Sequence, residues 1–167
     1  DYYRLAAEEQ LPIKQTADKK LNTFEAREKI KTRQTKIHSL LDKRLEADPS
    51  KSFDLKEIGR ETKAELREEI KNDTEYKAVA LEVDEYITDA IKARGKKITG
   101  KELNNFKQGM WGVGYNQMKP TAQKNARKIG HIAKEAIEKK YKDKSIQKLN
   151  ELSGRYATLQ HLLENAQ

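Results

Sequence analysis

Apolar residues along this chain recur at steps of three and four, which predicts helices almost end to end. A short helix is expected at 2–10, halted near Pro12. A long helix is expected from about Asp18 to Glu46, with Leu21, Phe24, Ile30, Ile37, Leu41 and Leu45 on its apolar stripe. That stripe is thin, as suits a helix exposed on two sides or packed on a partner chain. "ADPSKS" (47–52) stops it. The next helix opens at "SFDLKE", where Asp54 and Glu57 have capping-box spacing, and carries Leu55, Ile58, Thr62, Leu66 and Ile70. "KND" ends it. Another starts near Asp73, carries Tyr76, Val79, Ala80, Val83, Ile87 and Ile91, and stops at Gly95, which accepts a positive φ at no Cβ cost.

"ITGKEL" (98–103) is a further, strong helix start. Thr99 and Glu102 form a capping box, with Ile98 and Leu103 as its hydrophobic staple. Leu103, Phe106, Met110 and Val113 then share a face. Gly109, Gly112 and Gly114 weaken the second half by roughly 0.5–1 kcal/mol each relative to Ala, so the helix is expected to fray or bend there and to end before Pro120. Pro120 suits the first position of the following helix, whose buried side reads Ala122, Ala126, Ile129, Ala133, Ala136, Ile137 and Tyr141. "KDKS" (142–145) is a turn with Ser145 as N-cap. The last helix carries Ile146, Leu149, Leu152, Tyr156, Leu159 and Leu163. No strand is expected; "AVALEV" (78–83) fits the helical period better. Short links imply antiparallel neighbours. The expected fold is all-α: an antiparallel, elongated bundle of five to six helices, with a long N-terminal helix at about 18–46 and a bundle at about 53–167. It is either a single helical domain over 1–167 or a fragment of a longer protein.

Composition sharpens this picture. The chain is 37% charged and 35% hydrophobic, with a mean hydropathy of −1.02, which suits long, well-solvated helices of mixed charge. No apolar run is long enough for a transmembrane helix, and nothing at the N-terminus is like a signal peptide. The opening "DYYRLAAEEQ", without Met, is expected of a piece of a longer or processed protein. Zero Cys excludes disulfide and thiolate chemistry. The net charge of +8 is uneven: residues 92–148 hold sixteen Lys/Arg against four Asp/Glu, and the remainder is mildly acidic. A basic third of this kind is either a solvated surface or a polyanion contact.

Enzymatic motifs fail one by one. "GKKITGKE" (95–102) nearly matches a phosphate-binding loop, but Glu102 replaces the hydroxyl needed for Mg²⁺, and no strand is expected before it. "GMWGVG" has the wrong glycine order for a dinucleotide fingerprint. His38, His131 and His161 are isolated, without the partner spacing of a metal site. No Ser or Thr stands in a nucleophile context. The expectation is a non-enzyme with no catalytic or metal residues and no cofactor.

Two features stay as candidates. The basic residues Lys107, Lys119, Lys124, Arg127, Lys128, Lys134, Lys139 and Lys140 could meet a polyanion. They spread over the non-apolar arc, which suits phosphate contact rather than base reading. The island "ELNNFKQGMWGVGYNQMKP" (102–120) contains the only Trp and both Met residues. Trp111 and Tyr115, with Gly109, Gly112 and Gly114, could form an interaction or hinge element that docks a partner or stacks on bases. Ordinary packing at a helix joint explains the same residues, with Gly letting a neighbouring helix approach.

"LNNFKQGMW" (103–111), "KPTAQKNARKIGHIAKEAIE" (119–138) and "LNELSGRYATLQHLLE" (149–164) together resemble helical segments of large bacteriophage-encoded virion and injected proteins and their prophage relatives. The resemblance implies a non-enzymatic structural or interaction module, in a virion or in bacterial cytoplasm. Its partners would be other protein subunits or the rest of a parent chain. The alternative expectation is a helical nucleic-acid-binding module using 92–148. Charge placement separates the two. A continuous basic face beside an exposed Trp111 favours nucleic acid, whereas basic residues ringed by carboxylates favour assembly.

Overall fold

The computed structural model describes residues 23–116 and 120–165. The helix expected at 2–10, Leu21, Lys119 and the side chains of Val113, Tyr115 and Ala122 lie outside the described residues. The described chain is all-α apart from one small ribbon. Its elements are α1 (Thr23–Glu46), β1 (Ser52–Asp54), α2 (Leu55–Glu69), α3 (Asp73–Arg94), β2 (Lys97–Thr99), α4 (Gly100–Asn116), α5 (Pro120–Tyr141) and α6 (Lys144–Asn165). They fall into two compact units. One spans Asp1–Arg44 with Lys144–Gln167, and the other spans Leu45–Asp143.

The first unit pairs α1 with α6. Ala26, Ile30 and Ile37 pack with Tyr156, Leu159 and Leu163, and Leu149, Leu152 and Leu162 lie against that cluster. Arg33 Nη1 donates to Tyr156 Oη at 3.2 Å, and His38 Nε2 lies 3.3 Å from Ser153 Oγ. Numbers rise on one helix as they fall on the other, so the pair is antiparallel. Phe24 departs from the expected stripe and is 75% exposed. It sits two positions before the buried Ala26, and two steps of 100° put it on the far side of the helix. Ser145 is also not an N-cap: α6 begins one residue earlier, at Lys144.

The second unit corrects the expectation of no strand. Phe53 faces Ile98 in an antiparallel ribbon, flanked by Ser52 with Thr99 and Asp54 with Lys97. Both central residues are buried and the flanking ones are not. Three residues are too few for alternation to register against a helical background. The ribbon joins two helix starts. Asp54 accepts from Lys56 N at 2.8 Å, and Leu55 N donates to Lys96 O at 2.9 Å. Glu57 pairs with Arg60 rather than closing the expected box on Asp54. At the other strand the box is complete. Thr99 N donates to Glu102 Oε1, and Glu102 N donates to Thr99 Oγ1, each at 3.2 Å. The residues that nearly matched a phosphate loop are thus a ribbon strand and a helix cap. Gly95 has φ +93°, which lets the chain leave α3 directly into β2.

α2 lies antiparallel to α3. Gly59 admits the approach, since a Cβ there would be 2.9 Å from Ile87 Cγ1. Lys63 meets Asp84 at 2.9 Å, and Arg67 meets Asp73 at 2.5 Å while covering the Tyr76 ring. α5 then lies across both, burying Ala126, Ile129, Ile132, Ala133 and Ile137. The α5 end is fixed at the ribbon. Tyr141 stacks on Phe53 at 6.3 Å between centroids, and its hydroxyl donates to Leu45 O at 3.3 Å.

Candidate interaction groove between α2, α4 and α5

α4 packs antiparallel on α5. Gly100 lies at Tyr141, Lys107 near Lys134 and Glu138, and Trp111 over Gly130. At the Trp111 end an open groove forms, lined by Trp111, Gln123, Lys124, Arg127, Lys128, His131 and Glu69. Trp111 is half-buried. Gly130 makes room for it, because a Cβ there would lie 3.2 Å from Trp111 Nε1.

The groove is not a bare cationic surface. Lys128 reaches Glu69 at 2.6 Å and Glu65 at 3.4 Å, and Lys124 reaches Glu69 at 3.4 Å. Glu65 and Glu69 are four residues apart on α2, as Lys124 and Lys128 are on α5, so each pair projects on one face. The antiparallel ladder that results holds the Glu69 carboxyl below the usual carboxylate range, chiefly through the Lys128 hydrogen bond. The same bond pushes the Lys128 ammonium up. His131 engages its own helix neighbour Glu135 at 2.9 Å.

The other candidate cations are dispersed. Lys107 is a correction to the polyanion set: it is 3% exposed, so it cannot reach a phosphate from this position. Burial, with Lys134 adding repulsion, lowers its ammonium from 10.5 to about 8, while Glu138 pulls the other way. Lys134 is half-buried. Lys140 donates to Ser52 O and sits 4.6 Å over the Phe53 ring, at the ribbon end of α5. Arg127 and Lys139 are exposed. The structure therefore gathers Lys124, Arg127 and Lys128 around Trp111 and sends Lys107, Lys134, Lys139 and Lys140 elsewhere.

The hinge candidates are also revised. α4 runs as one helix through Gly109, Gly112 and Gly114 to Asn116, with no break at the glycines. Nor do Gly109 and Gly112 admit a neighbour among the described residues, since a Cβ at either would meet none of them within 4 Å. The helix thus carries two glycines whose propensity cost no packing offsets. Gly109→Ala and Gly112→Ala are each expected to raise stability by about 0.5–1 kcal/mol, as a higher midpoint in urea. A loss at either position would mean that its space is used.

Sequence reasoning passed over Glu65, Glu69, Gln123 and Gly130. The matched four-residue spacing of the two carboxylates and the two lysines was the available signal for the ladder. A lone Gly inside the apolar pattern of α5 was the signal for a close approach. Among the described residues no group of three or more His, Asp or Glu stands together as a metal site, and no helix is long and apolar enough to cross a membrane. No protein-family model, curated protein or solved structure matches the chain.

Proposed function

We propose that this chain is a non-enzymatic helical interaction module of a larger protein assembly, contacting a protein partner at the Trp111 groove. The observation that carries this reading is the Glu65–Lys128–Glu69–Lys124 ladder. It engages Lys124 and Lys128, beside Trp111, with carboxylates of the same fold. An aromatic side chain on an open groove whose lysines are paired with carboxylates suits a protein surface better than a phosphate backbone. The assembly is proposed to be phage-related on the sequence resemblance of 103–111, 119–138 and 149–164 alone. Nucleic-acid binding is the second reading, favoured by the exposure of Lys124, Arg127 and Lys139 along α5.

Releasing the ladder tests the choice. In a Glu65→Gln/Glu69→Gln variant, Lys124 and Lys128 lose their carboxylates. The variant is expected to bind duplex DNA more tightly than the parent, with a log–log salt slope steeper by about two contacts at roughly −0.9 each. Equal slopes for the two proteins would mean that the ladder does not restrain these lysines.

A further inference from the structure

Within the second unit, α2 runs antiparallel to α3, with Lys63 at Asp84 and Arg67 at Asp73. It also runs antiparallel to α5, with Lys128 at Glu65 and Lys124 at Glu69. α3 and α5 therefore finish at the same end of the unit, where the ribbon lies and α2 begins. Five exposed cations gather there. Lys92 and Arg94 stand on the last turn of α3, Lys97 on β2, Lys139 on the last turn of α5, and Lys142 just beyond it.

Most carboxylates at this end are engaged by other groups. Glu46 meets Lys101 at 2.6 Å, Asp48 meets Lys51 at 3.8 Å, and Asp54 meets Lys96 at 3.7 Å. Glu57 pairs with Arg60, and Glu102 closes its capping box. Adding Asp89 and Asp143 still leaves the five cations in surplus. Among the described residues, the side chains of Lys92, Arg94, Lys97, Lys139 and Lys142 have no ion-pair or hydrogen-bond partner. The negative ends of the helix dipoles explain cations at the last turns of α3 and α5. They do not explain Lys97 on a strand, or Lys142. Lys142 has φ +50°, a left-handed conformation that glycine takes at lower cost.

We propose that this ribbon end is a second docking surface, and that its occupant is an acidic segment of a partner protein, a short run of Asp and Glu. Four of the five cations are lysines, point charges that meet carboxylates singly, whereas phosphate recognition favours the arginine fork. No aromatic face is offered to bases here. Phe53 is buried with Lys140 over its ring, and Tyr141 stacks on Phe53 with its hydroxyl on Leu45 O. Nor is there an apolar anchor for a bilayer: the exposed large apolar side chain described in this unit is Leu81, midway along α3. The surface lies at the opposite end of α5 from the Trp111 groove, so it stands independently of that reading.

Fluorescence anisotropy of a labelled oligo-glutamate peptide with the full chain, at near-physiological salt, tests it. Saturable binding is expected, weakened at least tenfold by Lys97→Glu/Lys139→Glu/Lys142→Glu. Arg127→Glu, at the groove, is expected to change it less than threefold. Should the triple reversal fail to fold, Lys97→Gln/Lys139→Gln/Lys142→Gln is expected to weaken binding in the same direction. Absence of saturable binding would overturn the proposal, as would an equal loss with Arg127→Glu, which would mean a general field rather than a surface. Duplex DNA or phosphatidylserine vesicles binding at the same salt, and released by the triple reversal, would also overturn it by making the occupant a nucleic acid or a membrane.

Discussion

Replacing Lys107 by methionine is expected to stabilise the protein at pH 7 by about 1–3 kcal/mol. The unfolded chain holds this ammonium with its ordinary affinity for the proton, near 10.5, whereas burial lowers the folded value to about 8. Below pH 8 both states are charged, and the folded state bears the whole penalty, on the order of 3 kcal/mol at about 1.36 kcal/mol per pKa unit. Between about 8 and 10.5 the unfolded state holds more protons than the folded state, so stability rises with pH through that window. Methionine keeps the apolar stem in place and removes the charge. The folded value already includes the attraction of Glu138, so this net penalty is the upper bound on the gain. Denaturation at pH 7, 8, 9 and 10 should show the gap between variant and parent shrinking steadily. A gap of constant size, or a variant less stable at every pH, would mean that burying the ammonium carries no net cost.

Gly100→Ala is the opposite case and is expected to cost about 3 kcal/mol, the upper end for overpacking. A Cβ at Gly100 would stand 2.1 Å from the Tyr141 hydroxyl and 2.8 Å from Cζ. The ring cannot simply withdraw, because it stacks on Phe53 and its hydroxyl holds Leu45 O. Combining the change with Tyr141→Phe should recover only part of the loss, since Cζ remains too close. Urea denaturation of the two single variants and the double variant measures this coupling. Full additivity would show that the ring moves freely and that the contact does not fix the start of α4.

The helices were legible in the sequence because their signals are local. The Thr99–Glu102 box, the stop at Gly95 and the Pro120 start are each written within a few residues, and each stands in the structure. The ribbon was not legible, because Phe53 and Ile98 are each single apolar residues whose pairing spans forty-five positions. The same holds at the groove. Trp111 was singled out by its rarity, but its support is Gly130, and Lys128 is restrained by carboxylates far away on α2. Lys107 looked like one more surface cation because composition carries no burial. Only the close α4–α5 approach hides it. The glycines of α4 suggested a break, but the backbone stays helical through them. A helix can carry a cost of roughly 0.5–1 kcal/mol at each while its first half is held so firmly.

The most direct test of the interaction reading is fluorescence anisotropy of labelled single- and double-stranded DNA with the unmodified chain, from low to near-physiological salt. With Lys107 buried and Lys124 and Lys128 held by carboxylates, binding should be weak at low salt and lost near physiological salt, with a log–log slope no steeper than about −3. A slope near −7, about −0.9 for each of eight candidate cations, would contradict the account and make the chain a nucleic-acid-binding protein.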